Sequence, residues 1–347
     1  MATEKEIMAM LPGISNIFNY MSCVSSALVL LIFSTIMCYE PRLVNRVTLR
    51  LQVGISLFDF LNAVFALHHH TVKSGPFCIF LGFWRNFGEQ IYCFLNMSIA
   101  LNLQLFFIHG LKPTRKWEVI YWVGPLVASS ILSFIPLGLN MYGLATNKLC
   151  YMDDTIPGSK LLTLLNTSVV YLVAFIYLAI ISTLVITKLR NDKKIILSMS
   201  HYAETAALGS RKDLLHGLKR TILKISLYPL AALFGLSGFI VGYLYQSISG
   251  KPNLLPILIW GMIGITTKGF INFLTFLLDI NIQKAIIELY YNAKQYLKSK
   301  RRSQTKIDSS IENNIFPSSI GSSYNNVDSS NSIPIKRTSV MSIEQYL

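Results

Sequence analysis

Charged residues are scarce in this chain of 347 residues. They make up 14% of it, whereas 52% of the residues are hydrophobic and the mean hydropathy is +0.47. Because soluble domains carry about 25% charged residues, this composition excludes an ordinary soluble domain. The sequence also lacks a phosphate-binding glycine loop, a cluster of metal ligands and a nucleophile triad. We therefore expect no enzyme activity, no metal site and no cofactor.

The apolar residues are concentrated in seven runs. Roughly 20 apolar residues suffice to cross a bilayer as a helix, because a helix satisfies its own backbone polar groups in hydrocarbon. The seven predicted spans are residues 14–38, 47–67, 78–108, 119–142, 161–189, 221–245 and 254–279. The predicted fold class is an all-α membrane protein, a seven-transmembrane helix bundle over residues 14–279.

Lysine and arginine are unequally distributed between the segments that flank these spans. Those on one side are basic, and their cations include Arg42, Arg46, Arg50, Lys112, Arg115, Lys116, Lys188, Arg190, Lys193, Lys194, Lys294 and Lys298. Cytoplasmic loops carry such an excess, so we predict a plasma-membrane protein with residues 1–13 outside and the C-terminus in the cytoplasm. The net charge of +14 then indicates contact with membrane lipids and cytoplasmic partners rather than with nucleic acid.

Two segments follow the last predicted span. Residues 280–299 repeat apolar residues at helical spacing with interleaved lysines, which predicts an amphipathic helix in the membrane interface. Residues 300–347 are rich in Ser and Asn without periodicity, which predicts a disordered cytoplasmic tail. Within it, Thr338 and Ser339 follow two basic residues and are candidate phosphorylation sites, although a chance match explains them equally well.

Cysteine is rare, at five residues, and two of the five lie on the predicted extracellular face. Cys78 stands at the outer mouth of the third span, and Cys150 lies in the loop between the fourth and fifth spans. That compartment is oxidising, so we predict a disulfide between them. The alternative is a pair of free thiols.

Ionisable residues at bilayer depth are few. Asp59 in the second span and Lys268 in the seventh lie at matching depth, and we expect them to pair, with Asn62 and Asn272 as hydrogen-bonding partners. The alternative is a snorkelling Lys268 and a separately solvated Asp59. Pro229, near the inner end of the sixth span, removes a backbone hydrogen bond and predicts a hinge there.

A second polar group lies in the outer half of the third span. Arg85 and Glu89 are four residues apart and share a helix face, so they are candidates for binding an extracellular small molecule. Trp84 and Trp260 are candidates for stacking on that ligand. The alternative is an internal ion pair that only fixes the helix.

The predicted topology, the Cys78 to Cys150 disulfide, the basic inner loops, the amphipathic helix and the Ser-rich tail together resemble a G-protein-coupled receptor. The resemblance covers about residues 14–298. Three stretches are similar to the fungal cyclic-AMP-receptor-like and sugar-sensing receptors: Arg50-Leu51 with Asp59, Ala100-Leu101-Asn102-Leu103-Gln104, and Leu227-Tyr228-Pro229-Leu230. This resemblance implies an extracellular ligand and a heterotrimeric G protein as partners.

The chain departs from the rhodopsin-like receptors. Where these end the third span with an acidic-Arg-aromatic triplet, this sequence has Phe106-Phe107-Ile108-His109-Gly110, and in place of Asn-Pro-x-x-Tyr it has Asn272-Phe273-Leu274-Thr275-Phe276. That class is disfavoured. Two other functions remain as alternatives, a retinal-binding photoreceptor with Lys268 as the Schiff-base lysine and a seven-helix transporter. The transporter is disfavoured because the sequence shows no inverted repeat.

Overall fold

The computed structural model describes residues 4–41, 46–68, 72, 74–111, 114–145, 149–153, 155–202, 232–238, 240–242, 245, 255–279, 282–292, 294–296 and 298–299. These residues form helices and one short hairpin. The elements are α1 Glu4–Tyr39, α2 Val47–Ala66, α3 Pro76–Phe107, α4 Arg115–Gly138, β1 Tyr142–Leu144, β2 Cys150–Met152, α5 Ser159–Thr163, a π-helical turn Leu164–Val169, α6 Val170–Tyr202, α7 Ala232–Gly242, α8 Leu255–Thr266, α9 Lys268–Leu277 and α10 Ile282–Tyr296.

Among the described residues, five stretches of helix are long and apolar enough to cross a membrane. They correspond to the first five predicted spans and are Gly13–Tyr39, Val47–Ala66, Pro76–Phe107, Arg115–Gly138 and Ser159–Lys188. The number of such stretches rises to six if α9 and α10 are counted as one broken span. The chain is therefore a helical, multi-pass membrane protein.

The bundle is apolar outside and polar inside. Val119, Ile131 and Val173 are each more than half exposed, as lipid-facing side chains would be. Gln52 and Gln90, by contrast, are fully buried. Apolar side chains thus face outward, and buried polar side chains lie among apolar ones between the helices, where the candidate functional residues are found.

Helix α3 is the central element of the described bundle. In its most apolar window 61% of the residues are buried, against 28% to 44% in the other four spans. It packs against α2, α4, α6 and both strands, whereas α1 packs against α2, α8 and α9. Functional side chains on α3 can therefore meet partners from most of the neighbouring elements.

Helix α4 ends four residues before the predicted span does. Asn140 adopts a left-handed conformation with φ of 52°, and the amides of Met141 and Asn140 donate to the carbonyls of Pro136 and Leu137 at 2.9 and 3.0 Å. These are the two hydrogen bonds of a Schellman motif with asparagine at its left-handed position. The chain then turns directly into strand β1.

The other differences from the predicted spans lie in the fifth and seventh. Helix α6 continues to Tyr202, so the first part of the segment between the fifth and sixth predicted spans is helical. The seventh span is two helices that meet at Thr267. There the hydroxyls of Thr266 and Thr267 donate to the carbonyls of Met262 and Ile263 at 2.8 and 2.6 Å. Such bonds to the preceding turn bend helices, which accounts for the break.

Helices α1 and α9 approach each other at Gly269. Its amide donates to the hydroxyl of Ser22 at 3.0 Å. A β-carbon at this position would lie 2.9 Å from the Ser22 carbonyl oxygen and closer still to the hydroxyls of Ser22 and Ser26. Because backbone cannot give way as a flexible side chain can, α9 must move to admit even one methyl group.

We therefore expect Gly269→Ala to destabilise the bundle by about 1–3 kcal/mol, the usual cost of overpacking, and to lower the midpoint of thermal unfolding in detergent. The matched control is Gly124→Ala in α4, where a β-carbon would meet no atom within 4 Å. Equal midpoints for the two variants would show that α1 and α9 do not pack closely.

Candidate functional site

The hairpin is fastened to one end of α3. Strands β1 and β2 are antiparallel, with Leu144 opposite Cys150, and Cys150 forms a disulfide with Cys78 at the start of α3. Both cysteines are fully buried, together with Leu81. The hairpin therefore forms a fixed roof over the first turns of α3, and we call this end of the bundle the hairpin end.

Gly82 allows strand β2 to come close to α3. A β-carbon at Gly82 would lie 3.2 Å from the carbonyl oxygen of Tyr151 and 3.3 Å from its α-carbon. On a helix, positions three and seven residues further along share the same face, and these are Arg85 and Glu89. The roof thus lies directly above the two charged residues that the sequence analysis singles out.

Strand β1 is anchored through the Tyr142 hydroxyl. Asn86 donates to it at 2.9 Å, and the hydroxyl donates to the Ser133 carbonyl at 3.1 Å. Burial raises the pKa of Tyr142, so the hydroxyl keeps its proton and remains a donor. These bonds join β1 to α3 and α4 at once.

Five side chains beneath the roof form what we call the hairpin cup: Arg85, Glu89, Tyr151, Thr167 and Tyr171. The Nε atom of Arg85 lies 3.7 Å from Oε1 of Glu89, and the Tyr171 hydroxyl donates to Oε2 of Glu89 at 2.8 Å. The Arg85 guanidinium also lies 5.4 Å from the centre of the Tyr151 ring. The cup therefore contains one cation, one anion and two tyrosines drawn from α3, β2 and α6.

The π-helical turn Leu164–Val169 forms one wall of the cup. The Thr167 hydroxyl lies 3.2 Å from that of Tyr151, whose pKa burial raises to about 12. The Asn166 carbonyl accepts a hydrogen bond of 2.5 Å from Gln90, and its side-chain amide donates to the Leu132 carbonyl at 2.9 Å. Wide turns of this kind displace a carbonyl from the helical ladder, and here Gln90 satisfies it.

The two tryptophans predicted to stack on a ligand lie elsewhere. The ring of Trp84 packs against Phe65 of α2 at 5.1 Å and therefore points away from the face of α3 that carries Arg85. Trp260 is 40% exposed, and its backbone lies against Gly238 of α7. The aromatic rings nearest to the cup charges are instead those of Tyr151 and Tyr171.

Lys268 is buried in the middle of the bundle. Its Nζ atom lies 4.6 Å from the centre of the Tyr92 ring, and its charge acts on both Asp59 and Glu89. No carboxylate in the described part of the chain comes within 4.0 Å of this ammonium group. Asp59 is the nearby acid that the sequence analysis expects, but the two interact at a distance, and the cation rests on an aromatic face.

The two asparagines predicted beside this pair have other partners. Asn272 donates to the Ser56 hydroxyl at 2.6 Å, while Gln52 donates to the Asn272 carbonyl at 3.2 Å and to the Thr275 hydroxyl at 3.0 Å. Asn62 instead lies against Gly88 of α3. The result is a polar clamp between α2 and α9, consisting of Gln52, Ser56, Asn272 and Thr275, one or two turns from Asp59 and Lys268.

Three predicted residues lie outside the described part of the chain: Pro229, Thr338 and Ser339. Conversely, several residues of the site have no counterpart in the sequence analysis. The polar positions Gln52, Ser56 and Asp59 recur at helical spacing within an apolar span, and that pattern could have revealed the clamp. No comparable signal distinguishes Tyr151 or Tyr171 from the other 15 tyrosines of the chain.

Comparisons with known proteins identify no family for this chain. No protein-family model matches it, and no curated protein matches it either. The function must therefore be inferred from the charges, hydrogen bonds and topology described above.

We expect the charges of Asp59 and Lys268 to be coupled. Lys268→Met leaves buried carboxylates without the cation that acts on them, and it should lower the thermal midpoint in detergent. Adding Asp59→Asn should recover part of the loss, with a coupling energy of about 1 kcal/mol in the double-mutant cycle. In the control cycle, with the exposed Lys188→Met, the effects should add. Additivity in both cycles would mean that Lys268 and Asp59 act independently.

Proposed function

We propose that the chain is a G-protein-coupled receptor at the plasma membrane. An extracellular small molecule would shift the balance between two packings of a seven-helix bundle, and the cytoplasmic face would then engage a heterotrimeric G protein. The observation that carries this proposal is the disulfide-fastened hairpin above a buried, charged cup on the central helix. A loosely paired cation and anion beneath a fixed hairpin offer a small solute two opposite charges to bind.

Helices α7, α8 and α9 are compatible with two further membrane spans, which would give seven in all. Helices α8 and α9 together run from residue 255 to residue 277, which is 277 − 255 + 1 = 23 residues. At about 1.5 Å per residue they are long enough for a hydrocarbon core of roughly 30 Å. Helix α7 supplies the described part of the predicted sixth span. With an extracellular N-terminus, the hairpin faces outward and the basic loops face the cytoplasm.

The extension of α6 beyond the fifth span supports the proposal of a cytoplasmic docking surface. It continues from Lys188 to Tyr202, which is 202 − 188 = 14 further residues, or about 21 Å. This extension includes Arg190, Lys193 and Lys194. A basic helix that projects beyond the bilayer is a suitable contact for an acidic protein partner and for anionic lipid.

The same end of the bundle contains an inter-helix ion pair that a conformational change could rearrange. Arg50 of α2 lies 2.7 Å from Glu118 of α4, and Asn102 of α3 donates to the Thr48 hydroxyl at 3.1 Å. On α6, the Tyr177 hydroxyl donates to Gln104 of α3 at 2.9 Å. These contacts connect the helix that carries the cup with the helix that extends toward the cytoplasm. A rearrangement of these contacts would supply the bistable element that the receptor mechanism needs.

The direct test is nucleotide exchange. We expect the chain, reconstituted in lipid with heterotrimers of different α-subunit classes, to accelerate GTP uptake about fivefold or more when one of a panel of sugars, cyclic nucleotides, amino acids or lipids is added. Fivefold is the lower end of typical allosteric couplings. If a folded, correctly oriented preparation leaves exchange unchanged with every α class, the chain is not such a receptor.

The hairpin disulfide should be required for this response. Cys78→Ser with Cys150→Ser releases a link between residues 72 apart, which should cost about 2–5 kcal/mol of stability and loosen the roof over the cup. We expect ligand-stimulated exchange to fall strongly in this double variant. The exposed Cys38→Ser is the control and should respond normally. An unchanged response of the double variant would mean that the hairpin has no part in signalling.

A further inference from the structure

We infer that the hairpin cup binds a small zwitterion, whose anionic group contacts Arg85 and whose cationic group contacts Glu89. This inference rests on the proposed receptor function, since it names the class of ligand that the receptor would detect. The evidence is the geometry of the Arg85 and Glu89 contact and the partners of each group.

The Arg85 and Glu89 side chains are neighbours without a tight bond. Their 3.7 Å separation exceeds the roughly 2.7–2.9 Å of a charge-assisted hydrogen bond, and it involves the Nε atom. A bidentate pair would use the guanidinium fork instead. The fork therefore retains its capacity to bind a carboxylate, and the ion pair can be opened by a ligand at modest cost.

The two residues differ in what they would lose when the pair opens. The Arg85 side chain is 31% exposed and rests on the Tyr151 ring, so water and the aromatic face continue to stabilise its charge. The Glu89 side chain is only 11% exposed, its hydrogen bond from Tyr171 supplies no positive charge, and Lys268 acts on it only from beyond 4.0 Å. A ligand that occupies Arg85 therefore leaves Glu89 without a close cation unless the ligand supplies one.

This difference between Arg85 and Glu89 predicts the order in which zwitterions, cations and anions should bind. A zwitterion satisfies both residues at once. A cation satisfies Glu89 but is repelled by Arg85. An anion satisfies Arg85, but it leaves Glu89 without a close cation and is repelled by it. Because the two side chains are close, the charged groups of the ligand should be separated by one or two carbon atoms. The fixed roof of β2 above Gly82 further limits the ligand to a small molecule.

Binding to the full chain in lipid nanodiscs tests this inference. The probes are L-alanine, β-alanine, L-leucine and L-phenylalanine, together with the N-acetyl derivative of each, which is an anion, and the carboxamide of each, which is a cation. We expect at least one zwitterion to bind, as measured by calorimetry and by a raised thermal midpoint. Its N-acetyl and carboxamide analogues should each bind at least about tenfold more weakly.

The variants assign each charge of the ligand to a residue. Arg85→Gln should weaken the zwitterion about tenfold and abolish its advantage over the carboxamide, and Glu89→Gln should abolish its advantage over the N-acetyl analogue. Tyr171→Phe keeps both charges and releases the Glu89 hydrogen bond, so it should weaken the zwitterion a few-fold even where Glu89→Gln fails to fold. Lys160→Gln, an exposed lysine at the same end of the bundle, is the matched control and should bind normally.

Two outcomes overturn the inference: binding of an anionic or cationic analogue as tightly as the zwitterion, and no binding of any zwitterion by a folded chain. The binding assay needs no G protein. Zwitterion binding without nucleotide exchange would therefore leave the ligand class standing and remove the receptor function. Nucleotide exchange driven by an uncharged sugar or a lipid would leave the receptor function standing and remove the zwitterion as its ligand.

Discussion

The fold depends on one constraint: every polar group placed inside the membrane needs a partner within the bundle. Helix α3 meets this constraint on several faces at once. Asn86 bonds toward α4 and the hairpin, Glu89 toward α6, and Gln90 to the carbonyl displaced by the π-helical turn. Since water is excluded, each of these bonds also fixes the rotation of a neighbouring helix relative to α3.

The irregular backbone lies where the polar groups are. The π-helical turn in the fifth span faces Gln90 and Tyr151, and the break in the seventh span immediately precedes Lys268. Irregular backbone at membrane depth is tolerated only when it is buried in protein and its freed groups are satisfied. In this chain, Gln90 satisfies the carbonyl of Asn166, and Ser22 bonds the amide of Gly269. Departures from regular helix therefore coincide with the buried polar groups of the bundle.

The sequence predicts the positions of the membrane spans well, but it predicts poorly which side chains meet between them. Hydrophobic run length locates the first five membrane-spanning stretches to within a few residues, because crossing a bilayer is a one-dimensional requirement. Cys78 and Cys150 could be paired from topology alone. By contrast, which face of α3 meets Tyr171, or that Trp84 turns toward α2, depends on helix rotation, which run length does not encode. The three-residue strands also gave no signal, since they are too short to show alternation.

The charges of the bundle form a connected series. Arg85 and Lys268 both act on Glu89, and Lys268 also acts on Asp59, which lies on the same helix as Gln52 and Ser56 of the polar clamp. In an environment of low dielectric constant, a charge added beside Arg85 alters the field at each of the others. Among the described residues no carboxylate lies within 4.0 Å of Lys268, which rests on the Tyr92 ring. In a receptor of the kind proposed above, a charge bound in the hairpin cup would therefore act on Lys268 as well, and through it on the junction of α8 and α9.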